Sequence, residues 1–526
     1  MSFKYIKIAI YLLCLSGLSK VSGETKNVLI LLADDAGFEM GAYLNKFCQT
    51  PNLDELAKRS LIFNNAFTSV SSCSPSRAQI LTGQASHVNG MYGLHQGVHN
   101  FNVLPQVTSL PNILRQKSNG SILSGIIGKK HVGAAENFRF DYEQTEEHHS
   151  INQIGRNITN IKQYTKEFLT KAKNENKPFF LMVAFHDPHR CGHITPQYGE
   201  FCERWGSGEE GMGTIPDWKP IYYDWRNLEI PAYLPQTNIA QQELAAQYMT
   251  MSRLDQGVGL VLKELKEYGF NENTLVIFTS DNGPPFPGGR TNLYDFGIRE
   301  PMFMYSPEPE SRRHDTTSAM TSLLDIFPTV MDVFHFNTPN NTIPKTTGKS
   351  LLPLLHAEPK PDENDAVFGS QNFHEITMNY PMRMIRNRRY KLIHNLNYWS
   401  YFPIDQDLYT SPTFQQILNA TITKTSLPWY KTLQTYYRRP EYELYDIKAD
   451  PMELKNLATK PSYKKKLLEL LQLLYKWQVE TDDPWRCAPH AVLESQGPFK
   501  DNPACLSLGH DALGKPFADY EKYVIV

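Results

Sequence analysis

Four apolar runs each end in a cluster of groups that could do chemistry. Asp34 and Asp35 close NVLILLA, and Lys129, Lys130 and His131 close GIIG. His186 and His189 flank Asp187-Pro188 after FFLMVAF, and Asp281 and Asn282 close TLVIFTS. Asp34, Asp35, Asp281 and Asn282 are oxygen donors without a neighbouring thiolate, a set that suits Ca²⁺ or Mg²⁺ better than Zn²⁺. Each pair alone is also an ordinary turn former, and a single His or Lys at a strand end is ordinarily a solvated loop residue. Brought together with Arg290 of PPFPGGRTN, a divalent cation and these cationic groups would bind a tetrahedral oxyanion, phosphate or sulfate.

A fifth stretch, SSCSPSRAQILTG, sets Cys73 in a Ser/Pro turn, with Arg77 four residues on, at the mouth of a helix-like run. Of the seven cysteines, Cys14 falls in the N-terminal apolar stretch. Cys191 and Cys202 share one loop and Cys487 and Cys505 bracket another, so two local disulfides are the economical pairing in an oxidising compartment. Cys48 and Cys73 remain. Either they bond to each other, or Cys48 is a buried thiol and Cys73 has a chemical task.

The elements that must position these groups can be read from the same runs. Val28–Leu32 and Leu275–Phe278 are too short for helices and do not alternate, as expected of strands covered on both faces. Between them lie helical patterns. TPNLDELAKRS has Thr50 as N-cap and Pro51 in the first turn, and AQQELAAQYMTMSRLDQGVGLVLKELKEYG stops at Gly269. Strands alternating with helices predict an α/β fold with a mostly parallel central sheet between helices, in which groups past the carboxyl ends of strands share one crevice. After about residue 360 the pattern turns to short, alternating, aromatic-rich stretches and then the helical PSYKKKLLELLQLLYKWQVET. This predicts a smaller α+β domain with an antiparallel sheet, following the linker HAEPKPDENDA. The divisions are thus 1–23, 24–362 and 363–526.

Residues 1–23, with Lys4 and Lys7 ahead of an apolar stretch and small residues near Gly23, have the make-up of a secretory signal peptide. No later stretch is long and apolar enough to anchor the chain in a membrane. A net charge of -2 over 526 residues gives no global field for nucleic acid. Sequons at Asn119, Asn157, Asn340 and Asn419 predict a glycoprotein of the secretory route.

SSCSPSRAQILTG resembles the signature of the sulfatase family, whose core is C-x-P-S-R followed by a helix and T-G. GIIGKKHVG resembles its second signature, a G-K-x-H core. The likeness extends from about residue 26 to about 510 through AFHDPHRCGH, DQGVGLVL, FTSDNGPPFPGGRTNLY, FGSQNFHEITMNYPMR, FPIDQDLY and DPWRCAP, and is greatest to the sulfamidase branch. Lys130 departs from the commoner family pattern, which has an aromatic residue there, and agrees with that branch.

The resemblance implies an alkaline-phosphatase-like, calcium-dependent hydrolase. It implies that a formylglycine-generating enzyme oxidises Cys73 to Cα-formylglycine in the endoplasmic reticulum. One hydroxyl of the aldehyde hydrate then attacks sulfur, and the second allows sulfate to be released. Residue by residue it makes Asp34, Asp35, Asp281 and Asn282 the calcium ligands together with modified Cys73, and Arg77 the support of the hydrate. Lys129, His131, His189 and Arg290 stand around sulfate and the leaving nitrogen, with His131 or His189 as its proton donor, and His186 has a supporting place. The implied substrate is the N-sulfated terminal glucosamine of heparan sulfate or heparin oligosaccharides. The implied setting is the lysosome, reached through the secretory pathway with partial secretion, and the implied assembly a homodimer. Arg383 and Arg386 are candidates for uronate recognition, or else solvated strand-end charges. Three other readings stand beside this one: an O-sulfatase of glycosaminoglycan or small sulfate esters, a phosphatase or phosphodiesterase of the same superfamily, and a non-catalytic glycan-binding relative.

Overall fold

Strand β1 (Asn27–Ala33) is buried along its whole length because its two faces meet two different cores. Val28, Ile30 and Leu32 point into one, shared with Ala78, Leu114 and Phe327. Leu29, Leu31 and Ala33 point into the other, shared with Leu53, Phe168 and Leu254. This is why the run lacks alternation. The computed structural model describes residues 25–192, 198–336, 345–362 and 365–507; the expected leader at 1–23 and the sequon at Asn340 lie outside them.

The central sheet contains β1, β2 (Leu61–Phe67), β3 (Leu123–Gly128), β4 (Tyr142–Thr145), β5 (Phe179–Ala184), β6 (Thr274–Ser280), β7 (Arg299–Tyr305), β8 (Asp315–Thr317) and β9 (Thr321–Ser322). Their order is β4-β3-β5-β1-β6-β7-β2-β8, with β9 beside β2. All neighbours are parallel except β7, which runs against both β6 and β2. The four strands whose ends carry the chemical clusters, β3, β5, β1 and β6, are therefore adjacent. Ala33 pairs with Ser280, Leu32 with Ala184 and Gly128 with Ala184. Four clusters far apart in sequence come out at one edge because the register puts their strand ends level.

Helices cover both faces. Thr237 caps the helix Asn238–Glu267, its side chain accepting from the backbone N–H of Ala240. Thr50, expected to cap Pro51–Lys58, makes no side-chain cap bond there. Instead its hydroxyl accepts from the N–H of Gly41 at 3.2 Å and reaches Asp54 at 3.3 Å.

The second sheet, β10 (Ala366–Gln371), β11 (Met382–Asn387), β12 (Tyr390–Asn395) and β13 (Tyr442–Asp446), is antiparallel throughout. Met384, Ile393 and Tyr445 face Phe67, Leu293 and Ile298. On the opposite face Ile385, Leu392 and Leu444 meet Leu470, Leu474 and Trp477 of the helix Lys464–Glu480. The two sheets join through Ser370, whose N–H donates to the carbonyl of Ser69 just ahead of the Cys73 turn.

Arg383 and Arg386 are not at the surface. Arg383 is fully buried and donates to Asp483 at 2.6 and 2.9 Å. Arg386 is buried beside Asp295. Neither is a solvated strand-end charge or placed to meet a uronate, because the β11 side chains that carry them point into carboxylates of neighbouring elements.

Disulfides join Cys191 to Cys202 and Cys487 to Cys505, with Cα separations of 5.2 and 5.4 Å. Cys48 and Cys73 are both free and buried, so the structure holds no bond between them. Asn119 and Asn419 are exposed. Asn157 is nearly buried, its carboxamide oxygen capping the helix Ile158–Glu175.

Candidate active site

Cys73 is the first residue of the helix Cys73–Thr82, every residue of which is buried. Its Sγ lies 4.0 Å from Asp35 Oδ1. Burial raises its thiol well above the ordinary value, and Asp34, Asp281 and Asp35 add to this against the opposing charge of Lys129. An unmodified Cys73 is thus held as a neutral thiol, the poor-nucleophile form.

One turn along the helix, Arg77 ties three strand ends together. It donates to Asp281 Oδ2 at 2.9 Å, to Asp34 Oδ1 at 3.2 Å and to the carbonyl of Lys129 at 2.6 Å. Lys129 Nζ reaches Asp34 Oδ2 at 2.5 Å. Burial favours the neutral acid at Asp34, but Lys129 and Arg77 outweigh it and hold Asp34 ionised. Asp35 and Asp281 behave oppositely. Burial raises both, Asp281 to about 6, and Asp34 repels each despite Arg290 and Arg77.

This surplus of buried oxygen is the fit test for a cation. Ligand atoms of Asp34, Cys73 and Asp281 lie within 4.8 Å of one another. Asn282 Oδ1 is buried without a hydrogen-bond partner, while its Nδ2 donates to Asp35 Oδ1 at 2.6 Å. An ion bound by hard oxygens would satisfy the orphaned carbonyl and relieve the repulsion among the three carboxylates, so the residues present fit Ca²⁺.

Around this centre stand the cationic groups. Gly128 is left-handed at φ 97°, and a Cβ there would lie 1.9 Å from the carbonyl oxygen of Ala184, so only glycine lets β3 turn Lys129 inward. His131, also left-handed at φ 54°, is buried with neither ring nitrogen partnered. His189 is fixed through Nδ1 to the carbonyl of Arg190 at 2.7 Å and through Nε2 to Arg290 Nη1 at 2.9 Å. A ring that donates from Nδ1 and accepts at Nε2 is neutral. In keeping with this, burial and then Lys129 lower its pKa to about 3. His186 sits behind, 2.7 Å from Glu146 Oε1 and 3.9 Å from Asp34 Oδ2.

The structure thus brings Asp34, Asp35, Cys73, Arg77, Lys129, His131, His189, Asp281, Asn282 and Arg290 into one crevice. It adds four residues to which the sequence analysis gave no role. Asp405 and Asp407 both accept from Arg290, His374 bonds Ser72 Oγ through Nδ1 at 2.8 Å, and Glu146 holds His186. Asp405 and Asp407 lie in FPIDQDLY, but an Asp-x-Asp after proline reads locally as a turn. Glu146 lies in an acidic run that reads as a solvated face.

The chain matches the Sulfatase family over residues 26–336. The protein belongs to that family and is one of its hydrolases. It also matches a domain described as N-sulphoglucosamine sulphohydrolase, C-terminal, over residues 289–424. It is 54% identical over 491 residues to human N-sulphoglucosamine sulphohydrolase, spanning 92% of this chain and 95% of that protein. An ulvan-active sulfatase of Formosa agariphila is 27% identical over 488 residues, covering 88% of this chain and 76% of that one. A solved structure described as in complex with its substrate D-glucosamine-2-N,6-O-disulfate has the same fold, with a TM-score of 0.60 at 21% identity, over 87% of this chain and 98% of that one.

Proposed function

We propose that this protein hydrolyses the N-linked sulfate of terminal glucosamine N-sulfate residues during heparan sulfate breakdown. The observation that carries the reading is 54% identity across 92% of the chain to a protein named for that reaction. The crevice supports it, since each residue expected around sulfate stands within it.

Asp34, Asp35, Asp281, Asn282 and position 73 would hold Ca²⁺, which supplies positive charge against the charge that develops during attack on sulfur. Oxidation of Cys73 to formylglycine would supply a hydrated aldehyde as nucleophile where the raised thiol cannot serve. The chain's own residues do the rest. Arg77 fixes position 73 relative to the strand ends. Lys129 offers its ammonium to the sulfate, while Arg290, anchored by carboxylates, lines the sulfate side. His131, with both ring nitrogens unpartnered, is the ring free to bond substrate, whereas His189 is already engaged on both sides. That favours His131 as the group that exchanges a proton with the leaving nitrogen.

The test is turnover by purified protein. Release of sulfate from glucosamine N-sulfate in preference to glucosamine 6-O-sulfate is expected, and the reverse preference would make the protein an O-sulfatase. Mass spectrometry of the tryptic peptide carrying residue 73 should show the aldehyde, and a fully alkylatable thiol in active protein would overturn that part. The proposal extends to lysosomal delivery with partial secretion, a homodimer, and glycans at Asn119, Asn157, Asn340 and Asn419. Sedimentation and glycopeptide mapping check the last two.

A further inference from the structure

Arg290 is shared by three buried carboxylates. Its Nη2 donates to both Asp405 and Asp407, and its Nη1 lies 2.6 Å from Asp35 Oδ2. Asp405 and Asp407 therefore share one guanidinium nitrogen. Burial together with the charge of Asp405 raises the Asp407 carboxyl against the pull of Arg290, as expected of an acid that a second nearby cation would help ionise. Asp405 Oδ1 is buried with no hydrogen-bond partner, an independent sign that the pair is short of a donor or cation. Asp407 is the member that reaches the cleft. Its side chain is 10% exposed against 1% for Asp405, and its Oδ2 lies 4.0 Å from Nε2 of His189.

The chemistry of an N-sulfate supplies a cation for this pair of acids. The reaction balances as R–NH–SO3⁻ + H2O → R–NH3⁺ + SO4²⁻. The S–N bond breaks, nitrogen keeps the electron pair and takes both protons of water, and the water oxygen ends on sulfur. A sulfate ester instead releases a neutral alcohol, so its leaving side never becomes cationic. Lys129, His131 and Arg290 suit the sulfate half, but nothing among them suits an ammonium.

We propose that Asp407, held in place by Asp405 and Arg290, is the subsite for the leaving amine, pairing with the ammonium as the S–N bond breaks and so favouring N-sulfate over O-sulfate. Asp405 is a positioning residue that anchors Arg290 from behind. The inference rests on the N-sulfate reading above.

The experiment uses the mature, calcium-loaded protein. Glucosamine, which carries the ammonium, should inhibit the wild type about tenfold more strongly than N-acetylglucosamine, which does not. Asp407→Asn should erase that difference and lower kcat/KM on glucosamine N-sulfate about 30-fold or more, while hydrolysis of an aryl O-sulfate falls much less. Asp407→Glu, which keeps the charge, should retain the glucosamine preference. Equal inhibition of the wild type by the two sugars overturns the proposal without recourse to any variant. Equal loss on the N- and O-sulfate substrates overturns it as well. A wild type that prefers glucosamine as inhibitor but leaves glucosamine N-sulfate intact would overturn the substrate reading and leave the amine subsite standing.

Discussion

Arg77 Nε lies 2.9 Å from Asp281 Oδ2, while Nη2 of the same guanidinium lies 3.2 Å from Asp34 Oδ1. One arginine, four residues after Cys73, therefore locks the start of a helix to the ends of β1 and β6. The three groups are wholly buried, so this fork is part of the site's geometry, and removing one partner would leave buried charge uncompensated.

Replacing Arg77 should separate these two roles. Arg77→Ala leaves Asp34 and Asp281 facing a void, and breaking a buried pair of this kind costs about 3–5 kcal/mol. Arg77→Lys keeps the charge but cannot fork to two carboxylates. It should fold and lose about 10²–10³ in kcat/KM. Denaturant midpoints together with turnover check both, and a lysine variant of wild-type activity would remove Arg77 from the site's working geometry.

Calcium should act as a ligand of the native state alone. At free calcium about 100 times its Kd, the gain is about 2.7 kcal/mol. Thorough chelation is expected to lower the Tm, calcium to restore it, and Asp281→Ala to abolish the response. An unchanged Tm on chelation and readdition would count against the ion, whatever happens to turnover.

The site is legible in the sequence to a degree that differs by residue. The strand ends were legible because each cluster follows a short apolar run without alternation, and parallel neighbours put such ends at one edge. Cys73 was legible because no local partner claims it. Asp405 and Asp407 were not, because their role depends on β10–β13 carrying a distant turn back onto Arg290, and nothing local to FPIDQD encodes that approach. Arg383 and Arg386 misled for the same reason. A basic residue on an alternating strand reads as exposed until the buried acid that it meets, here Asp483 or Asp295, is known.

Arg383 should act in stability and not in substrate binding. Its guanidinium meets Asp483 and lies 5.2 Å from the ring centre of Trp485. Burial opposes ionisation of Asp483, but Arg383 outweighs it and holds the acid well below its ordinary range. Arg383→Met should cost about 3–5 kcal/mol in urea unfolding, and adding Asp483→Leu should return much of it. KM for substrate should not move in either variant, whereas a role in uronate binding would raise it.

His87 should make the junction between the sheets sensitive to acid. Its Nδ1 bonds Ser370 Oγ at 2.8 Å and its Nε2 bonds Thr481 Oγ1 at 2.9 Å, with the edge of the ring against Trp477. Burial lowers its pKa from 6.5 to about 3, Arg383 adding to the effect and Asp483 opposing it. The unfolded chain therefore binds a proton near pH 6.5 that the folded chain refuses until about pH 3. Protons favour unfolding across that window, so the stability contributed by neutral His87 is present above pH 6.5 and falls by up to about 1.4 kcal/mol for each unit below it. Other buried histidines act in the same direction, which makes the comparison between two proteins the informative one. Urea unfolding of wild type and His87→Gln at pH 7 and pH 5 should show the wild type losing about 2 kcal/mol more than the variant between the two conditions. Parallel losses would mean that His87 is protonated in the folded protein, and that the Ser370 and Thr481 hydroxyls accept from an imidazolium.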